Sequence, residues 1–301
     1  MKDSELLKKS LVLNLNAQGF IYKYIKNSNM RSMYKNIDNK FLRALSKIWL
    51  KFYIPGKSYF FGNWKKEIEK VNQVVIFDNG YRTELSRYIK SKKKECKIIV
   101  FCWNTLDVKS PILTQQKYID EIYSFDPGDI EKYGFKFNNS FYTKDLILKK
   151  QPTKYDLFFL GLDKGRKEKL NKIKEQCHKS NISYNFKIIK SKEDYIDYDE
   201  YLQLLNKSKA VLDITRTGQR GLTVRAMECL FLGKKLITDN KEIKNYSLYK
   251  KNNIFILGED NINELKKFIE TPYEKPEQKI IDEYDYKNWC LRMLKGEEQK
   301  H

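Results

Sequence analysis

Histidine is nearly missing from this chain: His178 and His301 are the only two in 301 residues. Neither lies in a loop that the patterns below mark as a site, so no histidine is assigned as a general base. Cysteine is scarce and odd in number, at 96, 102, 177, 229 and 290, with no C-x-x-C pair. That spacing argues against a disulfide framework and for small buried residues in a reducing compartment. No apolar run approaches the roughly eighteen residues that a membrane span needs. The amino-terminal MKDSELLKKSLVLNLNAQG carries acids, and its apolar run is too short for a signal peptide, so a cytoplasmic protein is expected. Glycine fingerprints are missing as well. Gly19 alone follows the first apolar run, which falls far short of G-x-G-x-x-G. Pro55-Gly56-Lys57-Ser58 lacks the leading glycine and the residue order of a phosphate-binding P-loop. No internal repeat is present.

Positive charge, by contrast, is abundant. The formal net charge is +20, and residues 1–100 hold 22 Lys and Arg against 8 Asp and Glu, or +14 of that total. Such a balance implies an anionic partner: phosphate ligands, an anionic membrane surface or nucleic acid. A hydrophobic content of 41% is enough for one large or two moderate cores.

The most informative stretch is Val211 to Asn240, VLDITRTGQRGLTVRAMECLFLGKKLITDN. Ala210 to Ile214 reads as a buried strand ending near Asp213. Thr215 to Arg220 is a polar loop with Gly218 for backbone freedom. Gly221 to Leu232 places Leu222, Ala226, Met227, Leu230 and Phe231 at helical spacing, and Gly233 supplies a C-cap. Lys235 to Thr238 is the next strand. Strand, loop, helix and strand imply a parallel crossover unit, with ligands beyond the carboxyl ends of its strands. The loop there offers a helix amino terminus to a phosphate, with Arg216, Arg220 and Arg225 within ten residues. Glu228, two turns on, has the reach to take both hydroxyls of a ribose. An ordinary surface helix with Glu228 beside Arg225 is the plainer alternative.

In the pattern LDI-x(4)-Q-x-GLT-x-R-x-x-E-x(4)-GKKLIT-x-N the stretch resembles the nucleotide-sugar site of GT-B glycosyltransferases, especially bacterial enzymes of surface polysaccharide and lipopolysaccharide synthesis. In the retaining group the matching helix holds two glutamates eight apart. The second corresponds to Glu228, and the first falls at Arg220. The resemblance implies an α/β GT-B fold of two Rossmann-like domains with a cleft between them. Residues 1–150 would form the acceptor domain and 151–280 the nucleotide-sugar domain, while 281–301 would be a helix returning to the first. It implies transfer without metal or cofactor. Lys164, Gly165, Arg166, Thr215, Gln219, Gly221, Leu222, Thr223, Arg225 and Glu228 would hold the donor. The implied acceptor is a growing polysaccharide or lipid-linked oligosaccharide at the inner membrane face, and nucleic acid is not expected.

The rest of the chain fits alternating strands and helices. Strands are expected at 10–16, 73–78, 97–103, 121–125, 155–160, 185–189 and 253–257. Asp78, Asn104 and Asp107 fall at strand ends, and Asp78 and Asp107 are the candidate bases for an inverting reaction. Residues 20–54 read as a long basic helix with an apolar stripe that includes Met30, Met33, Phe41, Ile48 and Phe52, a pattern suited to anionic lipid or to a core face. Phe141 to Lys154 reads as a polar linker. Gly161-Leu162-Asp163-Lys164-Gly165-Arg166 is a glycine-flanked basic turn suited to diphosphate. Asp197-Tyr198-Asp199 precedes a helix, which favours capping over metal binding. Helices are expected at 262–269 and 282–294. Two other functions remain open: a basic nucleic-acid-binding protein, favoured by charge and aromatic content, and an epimerase or phosphotransferase on a similar frame.

Overall fold

The computed structural model describes residues 2–51, 56–108, 110–191 and 193–299. Phe52 and Pro55, singled out above, lie outside them, as does His301. The protein is mixed α/β and divides into two compact units. One runs to Asn138 and resumes at Trp289; the other is Asn139–Asn288.

The first unit is built on strands β1 (Ser10–Asn14), β2 (Met30–Ser32), β3 (Gln73–Phe77), β4 (Lys97–Cys102), β5 (Glu121–Ser124) and β6 (Lys136–Phe137), in the order β2-β1-β3-β4-β5-β6. All of its pairings are parallel. Its helices are α1 (Asp3–Lys8), α2 (Lys40–Lys51), α3 (Thr83–Lys92), α4 (Pro111–Thr114) and α5 (Pro127–Tyr133). Runs such as Val74-Val75-Ile76-Phe77 and Ile98-Ile99-Val100-Phe101 are wholly buried, as strands covered on both faces must be. Asp126 caps α5 by accepting from the Gly128 amide, with Pro127 in the first turn. Trp289 closes this core. Its ring lies 4.9 Å from Phe101 and 5.7 Å from Phe77, centroid to centroid.

The second unit holds β7 (Tyr155–Leu162), β8 (Tyr184–Ile189), β9 (Ser208–Asp213), β10 (Lys235–Thr238) and β11 (Ile254–Ile256), again all parallel, in the order β11-β10-β9-β7-β8. Helices α6 (Lys167–Lys179), α7 (Tyr198–Asn206), α8 (Val224–Leu232), α9 (Leu265–Glu270) and α10 (Gln278–Tyr284) belong to it, and α11 (Tyr286–Lys295) follows. Leu157, Phe159, Leu170, Leu212, Ile237 and Phe255 form its centre. Gly233 ends α8 in the left-handed conformation expected of a C-cap glycine.

Four expectations are corrected. Residues 20–54 are no single helix: Phe20–Tyr24 is a 3-10 turn, Met30–Ser32 is strand β2, and among the described residues of this span only α2 is a regular helix. Met30 and Met33 lie in the core, whereas Phe41, Leu42 and Ile48 are exposed. Phe141 to Lys154 does not begin as a linker, since Phe141, Tyr142 and Thr143 are buried in the second unit. The division therefore falls at 138/139 rather than 150/151. The expected 282–294 helix breaks at Asp285, whose carboxylate accepts from the Lys144 and Lys287 amides and so caps α11. Finally, α8 begins at Val224, not Gly221, because Thr223 serves as its N-cap. Among the described residues no helix is long and apolar enough to cross a membrane.

Candidate functional site

In the second unit the chain leaves β7 for β8 on one flank and then returns for β9 on the other. The loops after β7 and β9 diverge at this reversal of strand order, where open parallel sheets leave a crevice for ligands. Two basic loops meet this edge.

The first follows β7. Lys164 and Gly165 both take positive φ, 43° and 79°, so the turn needs a glycine and strains a lysine. Asp163 secures it: its carbonyl accepts from the Arg166 amide and its carboxylate from the Lys167 amide that opens α6. The second loop is tied down by carboxylates of neighbouring strand ends. Thr215 donates through both its amide and its hydroxyl to Asp239, at 2.8 and 2.9 Å, and Asp239 also pairs with Lys169. Gln219 donates to the Gly221 carbonyl, and Asn240 to the Arg220 carbonyl. The Thr223 hydroxyl donates to Asp213 at 2.6 Å, while its oxygen caps the Ala226 amide of α8. Gly221 and the Leu222 side chain are buried, and Arg220 turns to Glu242.

Between these loops lie Lys164, Arg166, Arg216 and Arg225. Arg225 donates to Asp213 and to the Leu160 carbonyl and lies 5.3 Å over the Phe159 ring. A Cβ on Gly161 would stand 2.9 Å from Arg225 Nη2 and 3.5 Å from Arg166 Nη1, so glycine lets both guanidinium groups approach the strand. Burial, then Arg225, pushes the Arg166 pKa down; burial, then Arg216 and Arg166, lowers that of Lys164. Four cations thus crowd two carboxylates, Asp213 and Asp239. The Nε atoms of Arg166 and Arg225 are buried with no hydrogen-bond partner. An unpaired buried donor costs about 1–3 kcal/mol, which a phosphate oxygen would recover.

Glu228 differs from its expected role. It is 2% exposed, and its two carboxylate oxygens accept from the hydroxyls of Tyr198 and Tyr201 on α7. Tyr142 and Tyr198 hydroxyls lie 2.8 Å apart, extending the network. Burial raises Glu228 to about pKa 7 and holds the tyrosines protonated as donors. Neither a ribose contact nor a surface pair with Arg225 describes this arrangement: Glu228 anchors α8 to α7.

No family model matches the chain, and no curated protein does.

The first unit has its own reversal of strand order, between β1 and β3. Asp78 follows β3, accepts from the Trp103 amide at 2.8 Å, and is raised to about pKa 6 by burial. Tyr22 and Trp103 stand edge to face nearby, each against Phe77. Asp107 is exposed in the loop before α4, where its amide donates to Ser110. Asp213 and Asp239 are site residues to which sequence reasoning gave no role, and Gly161, read there as part of the basic turn, lies within β7. The signal for the two acids was present: an aspartate closes each of two neighbouring strands.

Proposed function

We propose that the protein is a GT-B-type glycosyltransferase whose second unit binds the diphosphate of a nucleotide-sugar. The observation that carries this reading is the cluster of Lys164, Arg166, Arg216 and Arg225 at the strand-order reversal, with two buried guanidinium N–H groups unpaired. Cations fixed in that way stabilise a departing nucleoside diphosphate without reorganising during transfer. The sequence pattern around Gly221-Leu222-Thr223 and Arg225 supports the same reading. Asp213, Asp239 and Gly161 then act as positioning residues, holding the loops and guanidinium groups in place. Asp78, half-withdrawn from solvent and raised toward neutrality, is the better placed of the two candidate bases.

The acceptor is a saccharide or lipid-linked chain at an anionic membrane surface. In support, α2 exposes Phe41 and Ile48 seven residues apart, hence on one face, within the most basic third of the chain. A thermal-shift screen of nucleoside diphosphates, CMP and the parent nucleosides tests the donor reading. At least one diphosphate should raise the melting temperature while its nucleoside does not. A flat response across the panel, with retention on RNA, would instead support the nucleic-acid reading.

A further inference from the structure

Helix α8 has two ends with different surroundings. Its amino end carries Thr223 and Arg225; its carboxyl end walls a groove of about 680 Å³ within the second unit. That is the size of a small-molecule site, roughly 300–1,000 Å³. Its apolar lining includes Leu230, Phe231, Pro276 and Ile281, together with Ile147, which is 84% exposed. Four lysines line it, Lys144, Lys150, Lys234 and Lys275, and no aspartate or glutamate does. Two of them are engaged: Lys144 pairs with Asp282, and Lys234 donates to the carbonyls of Asn206 and Ser208. Lys150 and Lys275 are exposed and pair with no acid among the described residues. None of the lining residues belongs to a strand, so an extended peptide would find no sheet edge to join.

We propose that this groove binds an anionic single-chain amphiphile, its acyl chain against the apolar lining and its phosphate or carboxylate head on Lys150 and Lys275. The site is separate from the cation cluster at the other end of α8, and the proposal stands whether or not that cluster holds a nucleotide-sugar. Calorimetry with the intact protein and alkyl phosphates below their micelle concentrations tests it. Octyl, nonyl and decyl phosphate should bind at one site and tighten about fourfold per added methylene. Decyl phosphate should bind the Lys150→Glu, Lys275→Glu double variant at least fivefold more weakly. A neutral decyl ether of tetraethylene glycol should bind wild type and variant alike. The Lys164→Ala, Arg166→Ala variant should bind decyl phosphate as the wild type does.

Affinity independent of chain length, or lost with Lys164 and Arg166, would place the phosphate in the cation cluster and overturn the proposal. Equal binding of decyl phosphate and decyltrimethylammonium would also overturn it, since charge would then play no part. So would concentration-dependent dimerisation abolished by the Lys150→Glu, Lys275→Glu change, which would assign the groove to a second copy. Groove binding of an acidic peptide but of no alkyl phosphate would do the same. Both lysines are exposed, so melting temperatures of the variants provide the folding control.

Discussion

The two sheets share an architecture and differ in what they put at its special place. Each is all-parallel, and each reverses strand order beside its first strand, between β1 and β3 in one and between β7 and β9 in the other. At the first reversal stand a carboxylate with its backbone bonds made, Asp78, and the rings of Tyr22 and Trp103. At the second stand four cations, two of which, Arg166 and Arg225, keep a buried N–H unpaired. Topology fixes where a ligand fits; side chains decide its charge. Overall basicity therefore misleads if read evenly. The first unit is the more basic by composition, yet the concentrated and partly buried cations are in the second.

The largest expected effect tests whether the first sheet depends on the returning segment. Trp289→Ala should destabilise the first unit by about 3–5 kcal/mol, because its cavity opens between Phe77 and Phe101. Denaturant unfolding with separate probes in each unit measures this. An equal loss in both units would mean that they do not unfold as the two bodies described.

Next is the charge contrast itself. Lys164→Ala with Arg166→Ala should lower nucleoside-diphosphate affinity by about 3 kcal/mol or more, over a hundredfold, and nucleoside affinity far less. Calorimetry that finds diphosphate affinity unchanged would break the comparison, because anions would then bind elsewhere.

The carboxyls give a pH test of similar size. Folded Glu228 titrates near 7 against 4.5 ordinarily. Between those values the native carboxyl keeps a proton that the unfolded one has lost, so stability falls as pH rises through that window. Above it the penalty levels at about 3 kcal/mol. Glu228→Gln removes this slope, and the variant should gain on wild type by up to that amount between pH 4.5 and 8. A stability difference that is flat with pH would show Glu228 to be ionised in place. Asp78→Asn should show the same sign in a lower window, about pH 4 to 6.

Smallest is Gly161→Ala. The added methyl meets side chains rather than backbone, the guanidinium ends of Arg225 and Arg166 and the edge of the Phe159 ring, so the expected change is about 1–3 kcal/mol in stability, with a several-fold loss of diphosphate binding. Unaltered binding would show that the arginines need no close approach to β7.

Much of this was visible in the sequence, because buried parallel strands are short apolar runs that betray themselves locally. The 208–240 unit is the clearest instance: Gly233, Lys235 to Thr238 and the apolar face of α8 all sit where spacing puts them. The failures share a cause, which is information held by distant residues. Strand β2 has only three residues, and Met30 and Met33 mimic helical spacing; their strand is made by pairing with β1. Glu228 looks like an exposed helical acid until Tyr198 and Tyr201, 30 and 27 residues earlier, are seen to cover it. Asp285 breaks a helical pattern because the Lys144 amide, far back in the chain, needs an acceptor.

The discontinuity of the first unit has a consequence for synthesis. Phe77 and Phe101 leave the ribosome long before Trp289, separated from it by the whole of Asn139–Asn288. At elongation rates of about 5–20 residues per second that delay is roughly 10–40 s. During it the second unit can complete its own sheet while the first waits with an aromatic face uncovered. The order of maturation is then the reverse of the order of translation: the unit begun first is finished last.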